Sequence, residues 1–150
     1  MAVNAGRFLI TRADSVVWCV QEGYFETELE EQFLAQLDAV INEGCTAGGG
    51  SCLLIADSQK LDGVSLMGRV RFERFMTRRG KDIKQVAVVM PKNSKAGFAL
   101  SVVADLLPSL RTKFVFSLDE ALKILGQPAE SKPKFDALLA KAQWHGATAA

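Results

Sequence analysis

The sequence has 150 residues, 49% of them hydrophobic, which is enough for one domain with a substantial buried core. Its 18 basic and 17 acidic residues give a formal net charge of +1. That balance excludes a global field that would attract nucleic acid or an anionic membrane, so charged recognition has to be local.

Charged residues interrupt the apolar runs of the N-terminal segment. Arg7, Arg12 and Asp14 leave neither a signal-peptide core nor the stretch of about 20 apolar residues that a membrane span needs. The cysteines are odd in number and lack the C-x-x-C spacing of a zinc or redox motif; they are Cys19, Cys45 and Cys52. We therefore expect a cytoplasmic protein with reduced thiols and without a metal or cofactor. Cys19 and Cys52 fall within predicted strands and are expected to be buried apolar residues.

The first part of the chain predicts two strands and a helix. Residues 8–11 and 16–20 are β-branched or aromatic runs separated by a turn, as in an antiparallel hairpin. Thr27 and Glu30 have the spacing of a capping box, whose side chains bond the first free amides of a helix. Helical spacing of apolar residues extends this helix from about residue 28 to 43, with Gly44 as its stop.

The following part of the chain alternates strands with helices. Continuous apolar runs predict three buried strands, at residues 52–56, 86–90 and 113–116. The first of them ends at Asp57 and is followed by a predicted loop at residues 58–63. Apolar periodicity predicts three helices, at residues 64–79, 91–107 and 118–125. Ser117 and Glu120 have the spacing of a second capping box, at the start of the last of these helices. The element order implies an α/β layered domain: a mixed, mostly parallel five-stranded sheet with about four helices, plus a C-terminal helix.

The C-terminal part of the chain is predicted to form a linker and an amphipathic helix. We expect residues 1–126 to be the layered domain and residues 127–150 to be this linker, helix and tail. The helix, which contains Phe135 and Trp144, either packs back on the sheet or docks on another chain. The single histidine, His145, lies in the tail, so a Ser-His-Asp or Cys-His catalytic set would need a frayed terminus.

Three segments carry a family resemblance. They are the turn at Gly23, the strand ending in Leu-Ile-Ala-Asp57, and the closing Phe116-Ser-Leu-Asp-Glu-Ala-Leu-Lys-Ile-Leu125. With the element order, they make residues 8–125 similar to the STAS superfamily, in particular its SpoIIAA-like branch of anti-sigma factor antagonists. The resemblance implies a non-catalytic domain that binds a regulatory protein. It also implies a phosphorylatable serine at the start of the helix after the central strand.

The sequence departs from the family pattern at that serine. Counted from Asp57, the phosphorylated position falls on Leu66. The candidate phosphorylation sites are therefore Ser65, which lies beside Leu66, and Ser58 in the same predicted loop. A phosphate on either would place negative charge near a helix start and thereby order or displace a partner.

The helix predicted at residues 64–79 carries a basic stripe. Its members Arg71, Arg74 and Arg78 lie within about 60° of each other on the helical wheel, next to Val64 and Met67. One interpretation is a docking surface for an acidic partner or a phosphate, because guanidinium groups present a planar fork of donors. The other is a solvated border of the core.

A second candidate site follows the central strand. Asp57 and Ser58 are expected just beyond its carboxyl end, where open α/β sheets bind ligands, with the helix start at Asn93 and Ser94 nearby. The alternative is that both residues only form turn and cap contacts.

Three functions remain open from the sequence. The first is a regulatory module that binds a partner protein through the loop at residues 57–63 and the helix that follows it. The second is a domain for a small apolar ligand or lipid, bound in a pocket lined by the Met and Phe side chains of residues 64–76 and 96–107. The third, an enzyme, has the least support, because the sequence shows no paired carboxylates, metal set or internal histidine. The edge strand of the hairpin also leaves a homodimer open.

Overall fold

The structure, a computed structural model, describes residues 5–90 and 112–146. Its strands are β1 (Arg7–Ala13), β2 (Val16–Phe25), β3 (Cys52–Val64), β4 (Ile83–Val89), β5 (Thr112–Val115) and β6 (His145–Gly146). Its helices are α1 (Thr27–Ala47), α2 (Leu66–Arg79), α3 (Leu118–Ile124) and α4 (Ser131–Lys141). The helix predicted at residues 91–107 lies outside the described residues.

The strands form one mixed sheet in the order β5-β4-β3-β2-β1-β6. Strands β2 to β5 are mutually parallel, whereas β1 runs antiparallel to both β2 and β6. The predicted α/β layered fold is confirmed. The described residues contain six strands instead of five, because the chain returns after α4 and pairs His145 with Phe8 of β1.

Alternating side chains divide the core between the two faces of the sheet. On β2, Val17 and Cys19 face one side, and Val16 and Trp18 face the other. Helices α1 and α2 cover the first face with aromatic and aliphatic side chains. Helices α3 and α4 pack against the second face. The sheet is therefore the middle of three layers.

Helix α1 continues past its predicted stop at Gly44 and ends at Ala47. Gly44 is buried where the helix approaches the sheet: a Cβ there would lie 3.0 Å from Val17 Cγ2 and 3.2 Å from Cys52 Cβ. The absence of a side chain at Gly44 allows the helix to pack closely on the sheet, and the helix is capped farther on, at Gly48.

Residues 58–63, predicted as a loop, belong to strand β3. They remain paired with β2, and shifts in register accommodate the irregular stretch. Ser58 and Leu61 are each 2% exposed and face the core. The prediction of a loop was wrong because the polar composition of this segment obscured two buried positions and a long partner strand.

Helix α4 packs back on the sheet, which is one of the two alternatives left open by the sequence. Phe135 is 1% exposed and meets Trp18 edge to face, with ring centroids 5.0 Å apart. Farther along, His145 stacks on Phe8 at 5.2 Å, and the guanidinium of Arg7 lies 3.9 Å from the centre of the Trp144 ring. The expectation that His145 lies in a frayed tail was wrong, because aromatic contacts hold it on β1.

We expect Phe135→Ala to lower the free energy of unfolding by about 3–5 kcal/mol, because it leaves a cavity against Trp18. Urea denaturation followed by circular dichroism measures this loss. Lys134→Ala is the matched control, since Lys134 is exposed and pairs with the exposed Asp14; it should cost less than about 1 kcal/mol. Equal losses for the two variants would contradict the packing of α4.

Candidate functional site

Helices α1 and α2 begin side by side at one end of the sheet. Phe25 and Val64 are register partners in β2 and β3, and a helix begins within two residues of each. The amide of Ser65 also donates a hydrogen bond to the carbonyl of Phe25, at 2.9 Å. Backbone pairing therefore fixes the position of the α2 N-terminus relative to α1.

Ser65 caps helix α2 and contacts α1. Its hydroxyl oxygen accepts a hydrogen bond from the amide of Gly68 at 3.0 Å, as an N-cap residue does. The same oxygen lies 2.8 Å from the hydroxyl of Thr27, the first residue of α1. This candidate phosphorylation residue is half-buried and occupied by two hydrogen bonds.

The capping box predicted at Thr27 and Glu30 was wrong. Glu26 occupies the N-cap position of α1 and makes no side-chain cap bond. Both predicted capping side chains have tertiary partners instead: Thr27 bonds Ser65, and Glu30 bonds Gln21. The second predicted box does cap its helix, since the Ser117 hydroxyl accepts from the amide of Glu120 at 3.2 Å.

Glu30 is a carboxyl group inside the protein. It is 1% exposed, and its Oε2 accepts a hydrogen bond from Gln21 Nε2 at 3.3 Å. Gly68 of α2 lies directly above it, since a Cβ on Gly68 would be 3.4 Å from Glu30 Cβ. Burial raises the pKa of Glu30 to about 8, although the hydrogen bond from Gln21 acts in the opposite direction. At neutral pH this carboxyl is mostly protonated.

Sequence reasoning missed Glu30, although a signal was present. Glu30 is in phase with the apolar stripe of α1, which consists of Phe33, Leu34, Leu37 and Ile41. A residue at that phase faces the core. The capping-box pattern offered a local explanation for the carboxylate and concealed this position.

Two cysteines are buried in strands, as predicted. Burial raises the pKa of Cys19, and the nearby acidic groups of Asp57 and Glu30 raise it further. Burial likewise raises the pKa of Cys52, to about 12. Both residues stay thiols at neutral pH, which is the inert form.

The basic stripe of α2 faces α1. Arg71, Arg74 and Arg78 are all exposed and lie along one side of the helix, as predicted. Arg71 forms an ion pair with Glu31, and Arg78 Nη2 lies 3.9 Å from Asp38 Oδ1. Arg74, between them, makes no ion pair with any residue in the described ranges.

A groove of about 340 Å³ separates the two helices. Its apolar lining comes from Leu34, Ala35 and Phe75, and its charged lining from the basic stripe and the two α1 carboxylates. The groove therefore combines an apolar floor with charges of both signs.

Two large apolar side chains are exposed at the start of α2. Leu66 is 73% exposed and Met67 is 50% exposed. Val64, predicted on the same surface, is the last residue of β3 and packs partly against the core. The exposed apolar surface next to the basic stripe thus consists of Leu66 and Met67.

Asp57 and Ser58 lie within β3, seven and six residues before it ends. The prediction that they follow the end of a strand was wrong, because β3 continues alongside β2 after its pairing with β4 ends at Asp57 and Val89. Burial raises the pKa of Asp57, whose Oδ1 accepts from the amide and side chain of Gln59 at 3.2 Å. The predicted partners Asn93 and Ser94 lie outside the described residues.

Two of the apolar side chains expected to line a ligand pocket, those of Phe75 and Met76, lie in the core instead. Phe75 and Met76 are 4% and 2% exposed and belong to the core between α2 and the sheet. Residues 96–107, the other expected wall, lie outside the described ranges. Within those ranges, no group of three or more metal-binding side chains occurs. No helix there has the length and apolar character for crossing a membrane.

No family model and no curated protein match this sequence. Solved structures do. An uncharacterized protein of the DUF3478 family from Shewanella loihica PV-4, with a SpoIIAA-like fold, has a TM-score of 0.59 and 23% identity over 83% of this chain and 98% of its own. An anti-sigma factor antagonist from Mycobacterium paratuberculosis has a TM-score of 0.57 and 15% identity over 84% of this chain and 96% of its own.

The chain has a SpoIIAA-like fold. The resemblance to STAS domains in the sequence is thereby confirmed for the fold. In this SpoIIAA-like domain, the position that spacing assigned to the phosphorylated serine is Leu66, the first residue of α2, and Ser65 is its N-cap.

We expect Glu30→Gln to stabilise the protein at pH 7 and to flatten its pH dependence. Well below pH 4.5 Glu30 is protonated in both the folded and the unfolded state. As the pH rises from there to about 8, the unfolded state loses the proton first, so wild-type stability falls by at most about 1.4 kcal/mol per pH unit. Urea denaturation of both proteins from pH 4 to pH 9 measures the difference. A constant difference over this range would contradict the buried, protonated carboxyl.

We expect Ser65→Ala to cost about 0.5–2 kcal/mol of stability, because Gly68 loses its cap and Thr27 its partner. Ser65→Asp, which retains a capping oxygen, should recover most of the loss. Thermal unfolding of both variants with wild type measures the effect. A loss with Ser65→Asp as large as with Ser65→Ala would contradict the capping role.

Proposed function

We propose that this domain is a non-catalytic regulatory module that binds a partner protein through the face of α2 that carries Leu66, Met67 and Arg74. The observation that carries the proposal is the combination of exposed Leu66 and Met67 with Arg74, which lacks an ion-pair partner within the described residues. An anti-sigma factor antagonist among the structures of similar fold supports a regulatory role.

The apolar pair would supply most of the affinity. Side chains that become buried at the centre of an interface dominate its binding energy. Removal of exposed apolar surface from water is favourable. Leu66 is the more exposed of the two and directly follows the cap of α2. Its position at a backbone-anchored helix start presents it to a partner in one fixed orientation.

The basic stripe would supply orientation and association rate. Arg74 is open to a carboxylate of the partner, and complementary charge at the edge of an interface acts chiefly on the rate of encounter. The pairs of Arg71 with Glu31 and Arg78 with Asp38 are exposed, so each contributes only about 0–1 kcal/mol. Carboxylates of a partner can replace those of α1 at little cost.

Of the two candidate phosphorylation residues, we propose Ser65. Ser58 is 2% exposed within a paired strand, and a kinase would have to open the sheet to reach it. Ser65 lies at the surface junction of β3 and α2. A phosphate there would be stabilised by the free amides of the helix start but would break the contact with Thr27, next to Leu66.

A quantitative pull-down from lysate of the source organism tests the docking surface. The baits are wild type, Leu66→Ser, Arg74→Glu and the control Arg69→Glu, each checked for folding by circular dichroism. Arg69 is an exposed arginine of the same helix, about 140° from Arg74 on the wheel. We expect one protein to bind wild type and Arg69→Glu but to be lost with the other two.

Affinity measurements on the purified pair give the magnitude. We expect Leu66→Ser to weaken binding at least about tenfold, mainly through faster dissociation, and Arg74→Glu to slow association. A partner that binds all four baits equally uses another surface. That result, or the absence of any selectively bound protein, would overturn the proposal.

A further inference from the structure

We propose that the buried carboxyl of Glu30 and the first turn of α2 form a proton-dependent latch. The neutral carboxyl keeps this turn packed on α1, and ionisation of the carboxyl loosens it. The latch comprises Glu30 and Thr27 of α1 together with Ser65 and Gly68 of α2.

The latch has three contacts, all at the N-terminus of α2. The backbone of Ser65 bonds Phe25, its side chain bonds Thr27, and Gly68 rests on Glu30. Gly68 is buried, and a Cβ there would lie 3.0 Å from the capping Oγ of Ser65 and 3.4 Å from the Cβ of Glu30, so the bare backbone leaves room for the cap and still contacts Glu30. The two hydrogen bonds of Ser65 hold the start of the turn, and the contact of Gly68 covers Glu30.

No positive charge in the described residues compensates Glu30. The groups that face it from β2 are Gln21, which is neutral, and Cys19, whose thiol interacts with both Glu30 and Asp57 of β3. The two arginines in the first half of α2 are directed elsewhere: Arg69 donates to the carbonyl of Val64, and Arg71 pairs with Glu31. An ionised Glu30 would therefore rest on a single hydrogen bond of 3.3 Å.

Ionisation makes hydration of Glu30 favourable, and the first turn of α2 is the part of its enclosure that yields most easily. Strand β2 is held on both sides by other strands, and Phe33 of α1 is 1% exposed within the core. The start of α2, by contrast, lies at the surface and carries the exposed Leu66. Opening this turn admits water to the carboxyl without disturbing the sheet.

The pH dependence has a defined sign. The pKa of Glu30 is about 8 in the closed state and returns toward its ordinary value near 4.5 when water reaches it. The equilibrium constant for opening therefore rises by up to about tenfold per pH unit between pH 5 and pH 7, and it levels off above about pH 8. Because Leu66 and Met67 belong to the loosened turn, a rise in pH would change the docking surface. This regulatory consequence rests on the proposed function, whereas the latch itself does not.

Hydrogen exchange of the full chain, followed by NMR from pH 5 to pH 7, tests the latch. The readout is the protection factor of the Gly68 and Arg69 amides, which corrects for the intrinsic pH dependence of exchange. We expect it to fall by up to about tenfold per pH unit in wild type and to stay constant in Glu30→Gln. The matched control is Glu28→Gln, an exposed carboxyl in the same first turn of α1, which should behave as wild type.

Protection factors that do not depend on pH in wild type would overturn the latch, as would a dependence that persists in Glu30→Gln. If Glu30→Gln does not fold, the carboxyl carbon of Glu30 is titrated in wild type, and its pKa must predict the pH dependence of exchange. A disagreement between the two also overturns the proposal. The exchange experiment tests the latch without any partner, so failure of the latch is distinguishable from failure of the pull-down.

Discussion

The extended parallel pairing of β2 with β3 is the constraint on which the rest of the structure depends. Because Phe25 and Val64 are partners at its far end, the two helices that follow must start next to each other. The hydroxyl contact of Thr27 with Ser65, the closure of Gly68 over Glu30, and the orientation of the basic stripe toward α1 all follow from that shared start. One backbone register thus determines both the candidate surface and the polar group buried beneath it.

The surface of α2 differs from an ordinary solvated helix face in how its charges are used. Two of its arginines are partly neutralised by α1, so the groove combines both signs of charge above an apolar floor. A mixed groove selects a partner by pattern instead of by total charge, which agrees with a chain whose net charge is only +1. The exposed Leu66 and Met67 then decide where along α2 the contact would be centred.

Much of the fold was predictable from the sequence because its signals are local. The element order followed from apolar periodicity, and buried cysteines followed from their strands. The errors also have a common cause. Gly44 looked like a helix stop, Thr27 and Glu30 like a capping box, and residues 58–63 like a loop. In each case the pattern suggests a local role, and a contact with residues distant in sequence decided the actual structure.

The sequence by itself determined the layered α/β architecture, the position of the basic stripe on one helix and the resemblance to STAS domains. Periodicity and turn chemistry act within a few residues, so they can be read along the chain. Only the tertiary structure decided which carboxylates face that stripe, that Glu30 is buried under Gly68, and that α4 returns to the sheet through Phe135. Those features depend on residues far apart in sequence meeting in space, and the burial that shifts the pKa of Glu30 exists only once two helices and a strand have enclosed it.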